Sequence, residues 1–335
     1  MKKINREKKG VKIAVIDSGF TPHIDINKGL ILKGIGLYYA NNKIKVSDNY
    51  EDLSGHGTAI VGIINDNIPD AQIYVIKVLD YKNQSNCELL LKGIEIAIDY
   101  GVDIINLSLG TTIKEYKKEF LKICKYAMGK GVHLVAAENM KMIYSLPARI
   151  EGVINVFAGH IYSNKKIYNS DKGFIAQGIK RMLYSLNDRY KMLGGSSFAT
   201  PIVTSLVAKI IQEKGRLPNK YMYSELRKRS YKVCNGNIMK VLIERYENIS
   251  ENIDKYIFKE TLLGLERVVP IYDYNQKLIS QGLTSDKYYT VLRQINNSLP
   301  IKYTEFSYLD FFNVYSLASR VQKSTKSIQN EKERS

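Results

Sequence analysis

Gly194-Gly-Ser-Ser-Phe-Ala-Thr-Pro201 runs directly into an apolar segment, residues 202–211. Small residues ahead of a buried helix let a second backbone come close to Ser197. The helix start supplies unpaired N–H groups and a positive dipole end to any anion forming there. A serine hydroxyl is a weak nucleophile until an imidazole takes its proton and a carboxylate fixes the tautomer of that imidazole. The stretch therefore calls for a His and an Asp elsewhere in the chain.

Two upstream segments supply them. Val-Lys-Ile-Ala-Val-Ile-Asp-Ser-Gly, residues 11–19, reads as a strand apolar on both faces that delivers Asp17 at its carboxyl end, where ligand-binding groups gather in parallel sheets. Alone, Asp17 reads equally well as an Asx-turn residue. Ser-Gly-His-Gly-Thr-Ala, residues 54–59, places His56 at the mouth of a small, apolar helix; the alternative for His56 alone is a satisfied core histidine. Taken together, in the order Asp, His, Ser, the three segments resemble the subtilisin family of serine peptidases.

The resemblance covers roughly residues 10 to 235 and implies an α/β fold with a doubly wound, mostly parallel sheet. Residues 73–80, 104–110 and 133–139 look like its consecutive core strands. By that alignment Asn139 donates to the oxyanion, and Ser108, Leu109 and Gly110 form one rail of the substrate cleft. Glu138 and Met140 stand where the family usually has glycines. Position 138 lines the primary specificity pocket in relatives, so a carboxylate there either shrinks the pocket or favours a Lys or Arg side chain. Asn139 retains a turn or capping alternative. Only residues 65–72 join the His56 helix to the next strand, so the resemblance implies that the calcium site of many secreted relatives is absent, that no other metal is bound and that no cofactor is required. The catalytic strand begins after a polar arm, residues 1–9, as in intracellular members that lack a prodomain.

Local patterns agree with an alternating architecture. Residues 88–100 and 116–128 carry helical periods, the first stopped by Gly101, and residues 222–233 look like a closing amphipathic helix. The chain has 335 residues, 44% of them hydrophobic, enough for one large domain and a smaller one. Its three cysteines, Cys87, Cys124 and Cys234, favour reduced thiols and a cytoplasmic location. No apolar run reaches membrane-span length. The net charge of +17 admits an acidic partner such as nucleic acid, but no nucleic-acid motif accompanies it and a solvated basic surface suffices.

From about residue 249 the composition shifts to Tyr, Leu and Ile in short helical patterns. We expect a linker at 237–250, a small four-helix bundle at 251–323 and a disordered tail at 324–335. The bundle resembles acyl and peptidyl carrier proteins in its Gly282-Leu283 turn, Leu299-Pro300-Ile301 and residues 314–318. In that family a serine opening the second helix carries phosphopantetheine, and the matching position is Ser285. Its neighbours Thr284 and Asp286 depart from the usual motif, and a helix-capping role is the alternative. The expectation is a peptidase domain, residues 10–236, that hydrolyses peptide or protein substrates, with a C-terminal docking domain for a pathway enzyme and a processing role such as leader removal. Its alternative is a catalytically impaired shell that binds peptides.

Overall fold

The computed structural model describes residues 10–138, 144–161, 163, 165–233 and 253–333. The chain forms two compact units, the second of which includes residues 179–184 and 189–194 together with the C-terminal region. Asn139, Cys234 and the expected linker lie outside the described residues.

A strand apolar on both faces has to sit inside a sheet covered on both sides. β1 (Lys12–Asp17) is buried from Ile13 onward. It lies parallel between β4 (Gln72–Lys77) and β5 (Ile104–Leu107). Beyond β5 the sheet continues through β6 (His133–Ala137), β7 (Ile154–Gly159) and β9 (Gly173–Gln177), all parallel. The far edges carry β2 (Ile31–Ala40) with antiparallel β3 (Lys43–Ser47), and β8 (Tyr168–Ser170) with β12 (Tyr231–Lys232).

Strand alternation sends successive side chains to opposite faces. Ala14, Ile16, Ile76, Leu107 and Leu134 pack in one core with α2 (Cys87–Asp99) and α3 (Lys117–Gly129). Neighbours of opposite parity meet the helices of the other face, α1 (His56–Asn67), α4 (Ser196–Lys214) and α5 (Asn219–Lys228). Asn106 bonds Thr204 of α4 at 2.8 Å, and His133 bonds Asn219 of α5 at 2.7 Å. α2 starts where Asn86 accepts from the Leu89 N–H at 2.9 Å and gives way at Gly101, which takes a φ of +65°. The expected helix over residues 222–233 is shorter: α5 ends at Lys228, and Tyr231 N–H donates to the Ile167 carbonyl as part of the sheet edge. Edge pairing satisfies backbone groups that another helical turn would have left at a frayed end.

In the second unit, α6 (Lys255–Glu266), α7 (Tyr288–Asn296) and α8 (Val314–Lys332) are joined by short 3₁₀ turns. One of these is Tyr308–Phe311, which Ser307 and Asp310 cap reciprocally, so that among the described residues three α-helices with 3₁₀ turns stand where a four-helix bundle was expected. The expected tail from residue 324 is instead helical to Lys332. Its polar composition misleads because Ser324 and Thr325 are buried: Ser324 Oγ accepts from the Lys302 N–H at 2.9 Å, and Thr325 Oγ1 donates to the Pro300 carbonyl at 3.3 Å.

The same unit holds an antiparallel hairpin, β10 (Arg181–Tyr184) and β11 (Tyr190–Leu193). Met182 N–H donates to the Phe306 carbonyl at 2.7 Å, and Tyr308 N–H to the Lys180 carbonyl at 3.1 Å. The Tyr190 ring lies 4.7 Å from Tyr303 and 5.8 Å from Tyr289, measured between centroids. The hairpin is thus built into the C-terminal unit while its chain leads, through Gly194 and Gly195, into α4.

Candidate active site

β1 ends at Asp17, fully buried, and α1 begins at His56. The two segments touch closely: a Cβ on Gly57 would lie 2.1 Å from the Gly19 carbonyl oxygen, so only glycine fits there. That approach sets His56 Nδ1 2.7 Å from Asp17 Oδ1, which also accepts the Ser18 N–H at 2.8 Å. A carboxylate held this way keeps the Nδ1 proton in place and leaves Nε2 free to act as a base. Burial pushes the His56 imidazole down, but the charge and hydrogen bond of Asp17, helped by the charge of Asp52, carry it above its ordinary value.

Asp52 is a second buried carboxylate, which the sequence reading missed. Its Oδ1 accepts from Ser18 Oγ at 2.9 Å, and from the N–H groups of Ser54 and Gly55 at 2.9 Å each. Its Oδ2 accepts from Thr58 N–H at 2.9 Å and Thr58 Oγ1 at 2.8 Å. Ser18 Oγ in turn accepts from Gly57 N–H at 2.8 Å. One carboxylate therefore ties the residue after Asp17 to the first turn of the helix that carries His56. Burial would raise the Asp52 pKa, but the hydrogen bonds from Thr58, Ser54 and Gly55 outweigh it and hold the group below its ordinary value. The signal available in the sequence was an acidic residue followed by Ser, Gly and Thr around a helix start.

Ser197 stands in the first turn of α4, half-buried. Pro201 has no N–H, so it cannot pair with the carbonyl four residues before it, which belongs to Ser197. Ser108, at the end of β5, supplies the missing donor: its Oγ donates to the Ser197 carbonyl at 2.6 Å. On the other side Ser196 Oγ accepts from the Ala158 N–H of β7 at 3.1 Å. The turn that carries Ser197 is thus fastened to two strands. The His56 ring meets α4 at the next residue, 5.1 Å from the Phe198 ring between centroids.

Of the other predicted site residues, Ser108 is buried and spends its hydroxyl internally, whereas Leu109 is half-buried and Gly110 exposed. Gly110 passes close to Ser145 and Leu146, where Thr111 pairs with Leu146. Glu138 is buried and its Oε2 is ion-paired with Arg149 Nε. Asn139 lies outside the described residues. Ser285 belongs to the C-terminal unit, exposed at the start of a 3₁₀ turn that leads into α7.

Comparison with known proteins adds to this geometry. The chain is 34% identical over 236 residues to the minor extracellular protease Epr of Bacillus subtilis, covering 66% of this chain and 35% of that protein. It is 30% identical to the thermostable alkaline protease of Halalkalibacterium halodurans, covering 66% of this chain and 61% of the relative. The chain therefore spans between a third and two thirds of the length of these two relatives. A crystal structure of a cold adapted subtilisin-like serine proteinase superposes with a TM-score of 0.56 at 20% identity, covering 71% of this chain and 86% of that one, a likeness of fold. The model of the subtilase family matches residues 8–232, the segment that holds Asp17, His56 and Ser197, and the chain belongs to that family.

Proposed function

We propose that this chain is a serine endopeptidase. Ser197 Oγ attacks the scissile carbonyl while His56 Nε2 takes its proton, giving a tetrahedral oxyanion next to the start of α4. The imidazolium, stabilised by Asp17, then protonates the leaving amine, and the C–N bond breaks to leave an acyl-enzyme. Water repeats the sequence with His56 again as base, releasing the acid and regenerating Ser197. In this reading Asn139 donates to the oxyanion together with the Ser197 N–H. The triad needs no cofactor for these steps. The observation that carries the reading is the 2.7 Å contact between His56 Nδ1 and the buried Asp17, with the ring abutting α4 beside Ser197.

Within the same proposal the enzyme is a cytoplasmic processing protease, for instance one that removes a leader. Its C-terminal unit is a docking module that presents exposed apolar side chains such as Tyr272 and Ile279 to a partner. The buried thiols of Cys87 and Cys124, both free, support a reducing location.

A serine-directed fluorophosphonate tests the catalytic reading by intact mass. One adduct per chain is expected on wild type and none on Ser197→Ala, with labelling of His56→Ala slowed by orders of magnitude. Folded wild type that does not label would overturn it.

A further inference from the structure

Glu138 follows directly on β6, and its position relative to the nucleophile is fixed from two sides. On one side, Ala136 is in register with Leu107 of β5, so Glu138 lies just past the level of Ser108, which grips the Ser197 carbonyl. On the other, Glu138 N–H donates to the Val156 carbonyl of β7 at 2.8 Å, two residues before the Ala158 N–H that holds Ser196. A carboxylate therefore stands at the same end of the sheet as the nucleophile, bracketed by the two strands that fasten it.

Its partner is part of the same ring of contacts. Arg149 N–H donates to the Ser145 carbonyl at 3.0 Å, and the adjacent Leu146 is paired in both directions with Thr111, at 2.8 and 2.9 Å. The loop carrying Arg149 is thus pinned to the segment that continues from Ser108 through Gly110. Arg149 reaches Glu138 from there, with 31% of its side chain exposed against none of the Glu138 side chain. Arg149 is therefore the member of the pair that meets solvent.

A buried carboxylate at the end of the sheet to which the turn of Ser197 is fastened invites the idea of a pocket for cationic side chains. The energetics point the other way. A buried carboxylate is tolerated because a counter-charge accompanies it, and here the counter-charge is already built into the chain at a fixed position. An incoming Lys or Arg has to displace a tethered guanidinium and meets a like charge before it reaches the acid. We propose that the Glu138–Arg149 pair determines primary specificity by rejecting cationic side chains, so that the residue preceding the scissile bond is uncharged. This inference rests on the peptidase reading given above.

The test uses the full chain and peptides that differ only at the residue before the scissile bond: Leu, Phe, Gln, Glu, Lys or Arg. Wild type is expected to cleave the Leu or Phe peptide about tenfold or more faster than the Arg peptide, in kcat/KM. Arg149→Ala leaves Glu138 without this counter-charge and should raise the Arg-to-Leu ratio about tenfold or more. The double variant Glu138→Gln with Arg149→Ala should lose that gain. Glu138→Gln alone frees the guanidinium and should raise the Glu-to-Leu ratio, which gives an independent result if Arg149→Ala fails to fold. A wild-type preference for Arg or Lys, or ratios unchanged in folded variants that still label with fluorophosphonate, would overturn the inference alone. Wild type that does not label overturns the peptidase reading and this inference with it.

Discussion

Thr204 Oγ1 donates to Asn106 Oδ1 at 2.8 Å across the interface between α4 and β5, with both residues fully buried. Asn106 Nδ2 passes the direction on to Ser108 Oγ at 3.1 Å, and Ser108 donates to the Ser197 carbonyl. Three hydrogen bonds thus run one way from the middle of the helix to its first turn, each polarising the next.

Ser108→Ala breaks this line at the one carbonyl that Pro201 cannot serve. A buried acceptor left without a donor costs about 1–3 kcal/mol. The variant should melt lower than wild type and lose kcat more than it raises KM, because the nucleophile turn loosens while the cleft stays intact. Thermal denaturation and peptide kinetics check both. An unchanged kcat would show that the Ser196–Ala158 bond alone holds Ser197 in place.

Asp52→Asn keeps the shape of the side chain but removes the charge and, on one side, the capacity to accept. We expect about 2–4 kcal/mol of destabilisation by urea titration, in the range of charge-assisted buried bonds. Because the folded-state pKa of Asp52 is lowered, its contribution to stability is complete above the unfolded value of about 4 and is lost as the pH falls through the folded value. The stability gap between wild type and variant should therefore close in acid and not in base.

His56 has the opposite sign. Its folded pKa is raised, so its stabilising interaction with Asp17 is fully present below about 6.5 and fades as the pH climbs through the folded value. Activity needs the neutral base, so kcat/KM should rise through a midpoint above about 6.5. Asp17→Asn should cut the rate on the order of 10⁴-fold and move the remaining midpoint down. A midpoint that stays in place in this variant would argue against direct coupling.

Burial pushes the Cys124 thiol up to about 12. At pH 8 almost none of it is thiolate, the form that reacts with alkylating reagents. Iodoacetamide mapping by mass spectrometry should leave Cys124 unmodified in the native protein and alkylate it in urea.

Phe306 is fully buried in the C-terminal unit, and its carbonyl receives the Met182 N–H. Phe306→Ala should destabilise that unit by about 3–5 kcal/mol. Amide exchange should then accelerate together in α8 and in the β10–β11 hairpin, since one packed unit contains both. Acceleration in α8 alone would mean that the hairpin is held by other contacts.

The strand that ends in Asp17, the helix that starts at His56 and the helix with Ser197 in its first turn were legible because each rests on a short local signal: a run apolar on both faces, a His between glycines, and a serine before a small-residue helix. Asp52 was not, since its meaning depends on Ser18 and Thr58 arriving from opposite directions to donate to it. The same is true of Arg149, which is paired with Glu138 although eleven positions separate them in the chain. Ser324 and Thr325 misled in the other way, as polar residues whose hydroxyls are used indoors. The hairpin escaped notice because its pairing partners, near residues 303–308, come long after it in the chain.

That last separation has a consequence for the newborn protein. At about 5–20 residues per second, a ribosome finishes Asp17, His56 and Ser197 well before it reaches Phe306 and Tyr308. For several seconds the nascent chain carries all three of these residues, while the hairpin that leads into Ser197 still lacks the neighbours it will pair with. The order of translation thus puts the pairing of the β10–β11 hairpin with residues 306 and 308 after the synthesis of Asp17, His56 and Ser197.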